Sequence, residues 1–245
     1  MQDFTKMNRP QAKATTAGFQ PKTVSIDQGL RAHMVKVYNY MAAALGVTGL
    51  VAYFAASSDP FMAAMLGSPL KFAIMFGPFA FILVLSFGIN RMSLFTAQAV
   101  FWAFSVVMGL SLSAIFLVYT GESIARTFFI TASLFGAMSL YGYTTKRDLT
   151  SMGSFLMMGL LGIILASLVN IFLKSAGIQF AISILAVIIF TGLTAYDTQR
   201  IKNMYFEIVG HGETLGKAAL MGALALYLDF INLFIQLLRF FGDRR

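Results

Sequence analysis

The sequence predicts an all-α, polytopic membrane protein with seven transmembrane helices, the last of them enclosed by the other six. Three observations predict it. The 245 residues are 58% hydrophobic and only 11% charged, more apolar surface than a water-soluble domain of this size could hide. Seven apolar runs recur along the chain, each close to the ~20 residues that cross a hydrocarbon layer ~30 Å thick. The last of them contains LYLDFINLFIQLLRFFG over 226–242, which carries Asp229, Asn232, Gln236 and Arg239 in a sector roughly 80° wide on a helical wheel. An ionised group at mid-bilayer costs about 2.5–3.5 kcal/mol on insertion scales, so this face must turn toward protein or water. The last helix therefore belongs inside the bundle, and Asp229 is a functional candidate.

Taken in order, residues 1–34 form a polar arm with Lys6, Arg9, Lys13, Lys22, Arg31, Pro10 and Pro21. It lacks the hydrophobic region of a cleaved signal peptide and reads as a cytoplasmic arm with a short interfacial helix near its end. Residues 35–245 form the transmembrane domain. Its first run, 35–56, is broken from the second, 70–89, by a stretch carrying Asp59, Pro60 and Pro69. A tight turn at 90–93 leads to runs at 95–119, 124–143, 153–173, 178–197 and 218–241. Lipid offers the backbone no partners and these runs are too long for barrel strands, so each is a helix. Ser105, Gly109 and Ser113 form a small-residue ladder that marks a close helix contact. No internal repeat is evident.

Orientation follows from the basic residues. With the amino terminus inside, twelve of the eighteen lysines and arginines fall on the inner side, against Lys71, Arg126 and Lys174 in the outer loops. Arg239, Arg244 and Arg245 lie outside if the last helix crosses fully, and its ~36 Å length is enough to do so. The net charge of +8 is scattered among loops and the arm, which fits membrane topology and no nucleic acid. Cysteine is absent, so thiol catalysis and thiolate metal sites are excluded. Only His33 and His211 could supply imidazole, and both sit outside the apolar runs as interfacial or loop residues.

A second carboxylate, Asp197, ends the sixth run, and a connection of about twenty residues returns the chain into the helix of Asp229. The two therefore belong to consecutive antiparallel helices. Tyr196-Asp197-Thr198-Gln199-Arg200-Ile201-Lys202, together with Leu226-Tyr227-Leu228-Asp229-Phe230-Ile231-Asn232-Leu233-Phe234, resembles the paired signature of the Bax inhibitor-1 family, in a bacterial member. The likeness covers about 70–242. It implies a seven-helix fold in which six helices surround the last. It also implies a pH-sensitive calcium leak in the inner membrane, controlled by an aspartate pair matched by Asp197 and Asp229. Arg91 and Arg239 match the family's basic partners, as counter-ion or gate. Some relatives add an acid in the second helix, where this chain reads Phe79-Ala80-Phe81, so an outer latch onto Arg239 lacks its partner.

The chemistry of the residues agrees. Two ionised carboxylates ~4 Å apart at an effective dielectric of ~20 repel by about 4 kcal/mol, so the pair titrates as a unit and competes for one proton. Sharing it, they tie the sixth and seventh helices together; losing it, they repel and form a dianionic site. Calcium prefers six to eight oxygens, and the two carboxylates of Asp197 and Asp229, with Asn232, Gln236, Thr194 and Thr198 as supporting polar groups, are too few fixed ligands for a tight cage. A weak site suits transit. Calcium is thus the transported ion and no cofactor is expected. An enzyme is not expected either: no Gly-x-Gly-Asp precedes either aspartate, no proline follows Pro78, and no lysine for a retinal Schiff base follows Lys217. Two readings stay open beside the leak: a proton-coupled transporter, and an interaction protein modulating a membrane-bound AAA protease.

Overall fold

Backbone amides in hydrocarbon have only one another as partners, and the chain accordingly runs almost wholly in helices. The structure is a computed structural model that describes residues 22–210 and 212–245. The described residues form α1 (Lys22–Ala56), α2 (Asp59–Gly67), α3 (Leu70–Gly88), α4 (Leu94–Leu112), α5 (Ile115–Val118), α6 (Gly121–Thr144), α7 (Thr150–Leu173), α8 (Ala176–Ile208) and α9 (Gly212–Phe241). Seven spans are long and apolar enough to cross a membrane, the third comprising α4 and α5. The all-α membrane architecture read from the sequence holds, and the protein is integral to the membrane.

The helix with the polar stripe is the central one. Two thirds of the apolar window of α9 is buried, 67% against at most 33% in any other span. It packs directly on α1, α4, α6 and α8, while α3 lies against α2 and α4, and α7 against α8. Leu226, Tyr227 and Leu233 are fully enclosed. The Tyr227 hydroxyl is not left bare, since it lies 2.7 Å from the Thr48 hydroxyl, which donates to the Ser105 carbonyl.

Small residues set how closely the helices approach. Gly109, in the ladder read from the sequence, brings α4 against the Thr48 carbonyl and Val51 of α1, and Ser105 and Ser113 are buried beside it. Gly142 does the same for α6 and α8, where an added methyl would strike the Ala195 carbonyl.

Three expectations are corrected. The sixth span does not end at Asp197: α8 runs on to Ile208, and only residues 209–211 connect it to α9. Apolarity stops near Asp197, but Arg200, Lys202, Asn203 and Glu207 are no helix breakers, and the turn waits for Gly210, whose φ is +104°. At the other end, α1 passes straight through the expected boundary at residue 34, burying Leu30 and Met34. Residues 1–21 of the arm lie outside the described residues. His33, expected at an interface, is 5% exposed and packs against the Tyr205 ring of α8 at 5.4 Å, whereas His211 lies outside the described residues.

What its far end touches shows that α9 runs the length of the bundle. The Thr120 amide donates to the Asp243 carbonyl at 3.0 Å and the Arg245 amide to the Val118 carbonyl at 3.0 Å. Arg126 donates to the Phe241 carbonyl and pairs with Asp243, both at 2.9 Å. The chain after α9 is therefore fastened to the α5–α6 junction, the opposite end of the bundle from the α8–α9 turn.

Gly142→Ala should force α6 away from α8 and cost about 1–3 kcal/mol, read as a lowered unfolding temperature in detergent. Gly162→Ala, at a position with open space around it, should stay within about 0.5 kcal/mol of the parent.

Candidate functional site

The site begins where α8 and α9 approach. Gly222 of α9 lies against the Ile201 side chain, at a spacing where a methyl would sit only 3.0 Å from it. One turn along α8 stands Asp197, and two turns along α9 stands Asp229. Their carboxyl groups come within hydrogen-bonding reach of each other. Ionised carboxylates only accept, so this contact is a hydrogen bond only when one of the two carries a proton. Asp229 is 5% exposed and its Oδ2 has no partner among the described residues. The Asp197 side chain is 15% exposed.

Both aspartates line a cavity of about 650 Å³ between α3, α7, α8 and α9. The polar stripe of α9 forms its back wall: Asp229, Asn232, Gln236 and Arg239 all face it. Phe79 and Ile82 of α3 and Met157 and Leu160 of α7 supply the apolar sides. The Asn232 amide donates to the Leu228 carbonyl at 2.8 Å, leaving its oxygen for the cavity. Gln236 Oε1 is buried without a donor among the described residues. An unsatisfied buried acceptor costs about 1–3 kcal/mol, so the wall is built to meet water, a proton or a cation.

The other residues singled out from the sequence lie elsewhere. Thr194 is buried, with its hydroxyl donating to the Phe190 carbonyl at 2.8 Å. Thr198 turns away from the cavity, its hydroxyl 3.4 Å from Ser139 and 3.5 Å from Tyr38. Neither lines the cavity. Arg91 is exposed in the α3–α4 turn, with no carboxylate within 4 Å among the described residues. The guanidinium that does approach is Arg200, with Nη1 3.9 Å from Asp197 Oδ1. The sequence carried that signal, because residues three apart share a helix face. The Arg200 side chain is 59% exposed, so its pull on Asp197 is screened. Arg239 is exposed at the far end of the cavity and is likewise without an acid within 4 Å among the described residues.

Several other side chains of the Tyr196–Lys202 stretch are used in packing. The Tyr196 ring covers Gly153 of α7 so closely that any side chain there would collide with it. Gln199 accepts from the buried Leu149 amide and donates to the Arg147 carbonyl, both at 2.8 Å, fixing the α6–α7 loop. Lys202 donates to the Tyr143 carbonyl at 2.8 Å. One helical segment thus holds α6 and α7 in place while presenting Asp197 to α9.

Comparison with known proteins adds to this geometry. The family model described as "Inhibitor of apoptosis-promoting Bax1" matches residues 30–245. The chain is 54% identical to the Rickettsia prowazekii protein RP147 over 224 residues, covering 91% of this chain and 94% of that one. It is 47% identical to the Escherichia coli inner membrane protein YbhL over 230 residues, covering 92% and 98%. A Caulobacter vibrioides protein is 46% identical over 255 aligned residues, spanning the whole of both chains.

Gln199→Leu should strand the buried Leu149 amide and cost about 1–3 kcal/mol of stability. Thermal unfolding in detergent checks this, and Gln199→Glu, which keeps the acceptor for that amide, should recover part of the loss.

Proposed function

The chain belongs to the Bax inhibitor-1 family, and we propose that it is a pH-sensitive leak path for calcium, gated by the proton shared between Asp197 and Asp229. The observation that carries the reading is the meeting of the two carboxyl groups at the cavity wall, with one oxygen of Asp229 unpartnered. While the proton bridges them, α8 and α9 stay together and Ile201 remains seated on Gly222. Removal of the proton leaves two like charges that repel by about 4 kcal/mol at ~4 Å and an effective dielectric of ~20. The helices part there, and the dianion attracts a hard divalent cation.

Calcium suits the site as cargo rather than as a resident ion. Among the described residues no third carboxylate or imidazole joins the pair. With each carboxylate giving one oxygen, the pair and the Asn232 and Gln236 oxygens supply four of the six to eight that calcium prefers, so water completes the shell and the ion leaves readily. Arg200 takes the counter-ion role expected of Arg91, competing with calcium for Asp197 from the side where α8 continues past it. With the amino terminus cytoplasmic, that side faces the cytoplasm and the Arg239 end of the cavity faces outward.

In liposomes loaded with a calcium-sensitive dye, flux through the parent protein should rise as the pH is raised and the pair loses its proton. Asp197→Asn and Asp229→Asn should each flatten that profile, and parent-like flux and pH dependence in both variants would overturn the reading. Arg200→Gln should leave the path intact but raise calcium occupancy, seen as half-maximal flux at a severalfold lower calcium concentration.

A further inference from the structure

The cavity with the aspartates shares Arg239 with a second hollow of about 520 Å³, into which Arg244 also faces. Two arginines therefore border one space at the carboxyl end of α9, and among the described residues neither has an acid within 4 Å. The nearby Asp243 is engaged by Arg126 at 2.9 Å, and α3 contains no carboxylate. A double arginine site matches a phosphate, whose two non-bridging oxygens carry the negative charge and have lone pairs enough to accept from both guanidinium groups.

The wall leading from that hollow is apolar. Phe79 is 63% exposed, Met157 50% and Ile164 54%, and all three edge the cavity between α3 and α7. Behind them the polar stripe faces the gap. From Arg239 to Asp229 is ten residues of helix, about 15 Å, which is half of a hydrocarbon layer ~30 Å thick. That is the depth one acyl chain occupies in its own leaflet.

We propose that an anionic phospholipid of the leaflet at the carboxyl end of α9 seats its phosphate on Arg239 and Arg244. Its acyl chain lies along the exposed apolar edge of the cleft between α3 and α7, against Phe79, Met157 and Ile164. This assignment stands on the arginines and the cleft alone and does not depend on the calcium reading.

The test is native mass spectrometry of the full-length protein in detergent with an equimolar mixture of phosphatidylglycerol and phosphatidylcholine. The parent should retain phosphatidylglycerol by on the order of tenfold over phosphatidylcholine. Arg239→Gln combined with Arg244→Gln should bring the two lipids to parity, while Lys71→Gln, an exposed basic residue at the start of α3, should keep the preference. Both arginines are exposed, and the single variants, each lowering the ratio, supply the result should the double variant not fold. Asp229→Asn should leave the preference unchanged, which separates this site from the gate. Unaltered phosphatidylglycerol retention in the arginine variants would overturn the proposal. So would glycerol phosphate binding as tightly as the lipid, since the site would then serve a soluble anion.

Discussion

A carboxylate ten residues from an arginine, with two amides between, cannot face hydrocarbon, and from that constraint the arrangement of the bundle follows. Leaving the α9 stripe in lipid would cost several kcal/mol for the charged groups alone. The helix is instead surrounded by α1, α4, α6 and α8, with its polar face given to a cavity flanked by α3 and α7. The close approaches that make room for this, at Gly109, Gly142 and Gly222, occur where a methyl would meet backbone or a branched side chain. Small residues do in the membrane what apolar burial does in water, since hydrocarbon itself gives helices no reason to prefer one another.

Within that frame α8 carries two duties on one stretch of helix. Gln199 and Lys202 hold the neighbouring backbone at the α6 end, Tyr196 rests on α7, and Asp197 is turned to the centre. Any movement that separates the aspartates therefore bears on contacts with α6 and α7. The coupling is contiguous and made of identifiable hydrogen bonds, which is what a two-position element requires.

Much of this was legible in the chain. The spans, the inward stripe of α9 and the small-residue ladder of α4 each rest on a periodicity that survives folding, because the membrane enforces helix everywhere it is crossed. The extent of α8 was not legible from apolarity, since helix persists in water when its residues favour it and stops only at Gly210. Thr198 and Thr194 flank Asp197 in sequence or by one turn, yet the first lies ~100° round the helix and meets Ser139, and the second spends its proton on the turn below. Arg91 against Arg200 turned on tertiary placement: a family likeness pointed to one arginine, while spacing on a single helix already pointed to the other. His33 was misplaced because a polar residue near a terminus looks solvated until a neighbouring aromatic covers it.

The fastening of the chain beyond α9 has a mechanical consequence. One end of α9 is held by the short turn from α8, and the other by backbone pairing with Val118 and Thr120 and by the grip of Arg126. A rod clamped at both tips cannot slide along its axis. It is a fixed axis for the bundle, and the eleven residues of α8 past Asp197, about 16 Å of helix, are packed beside it with Ile201 and Tyr205 buried. Any parting of the two aspartates must then run across that axis and not along it.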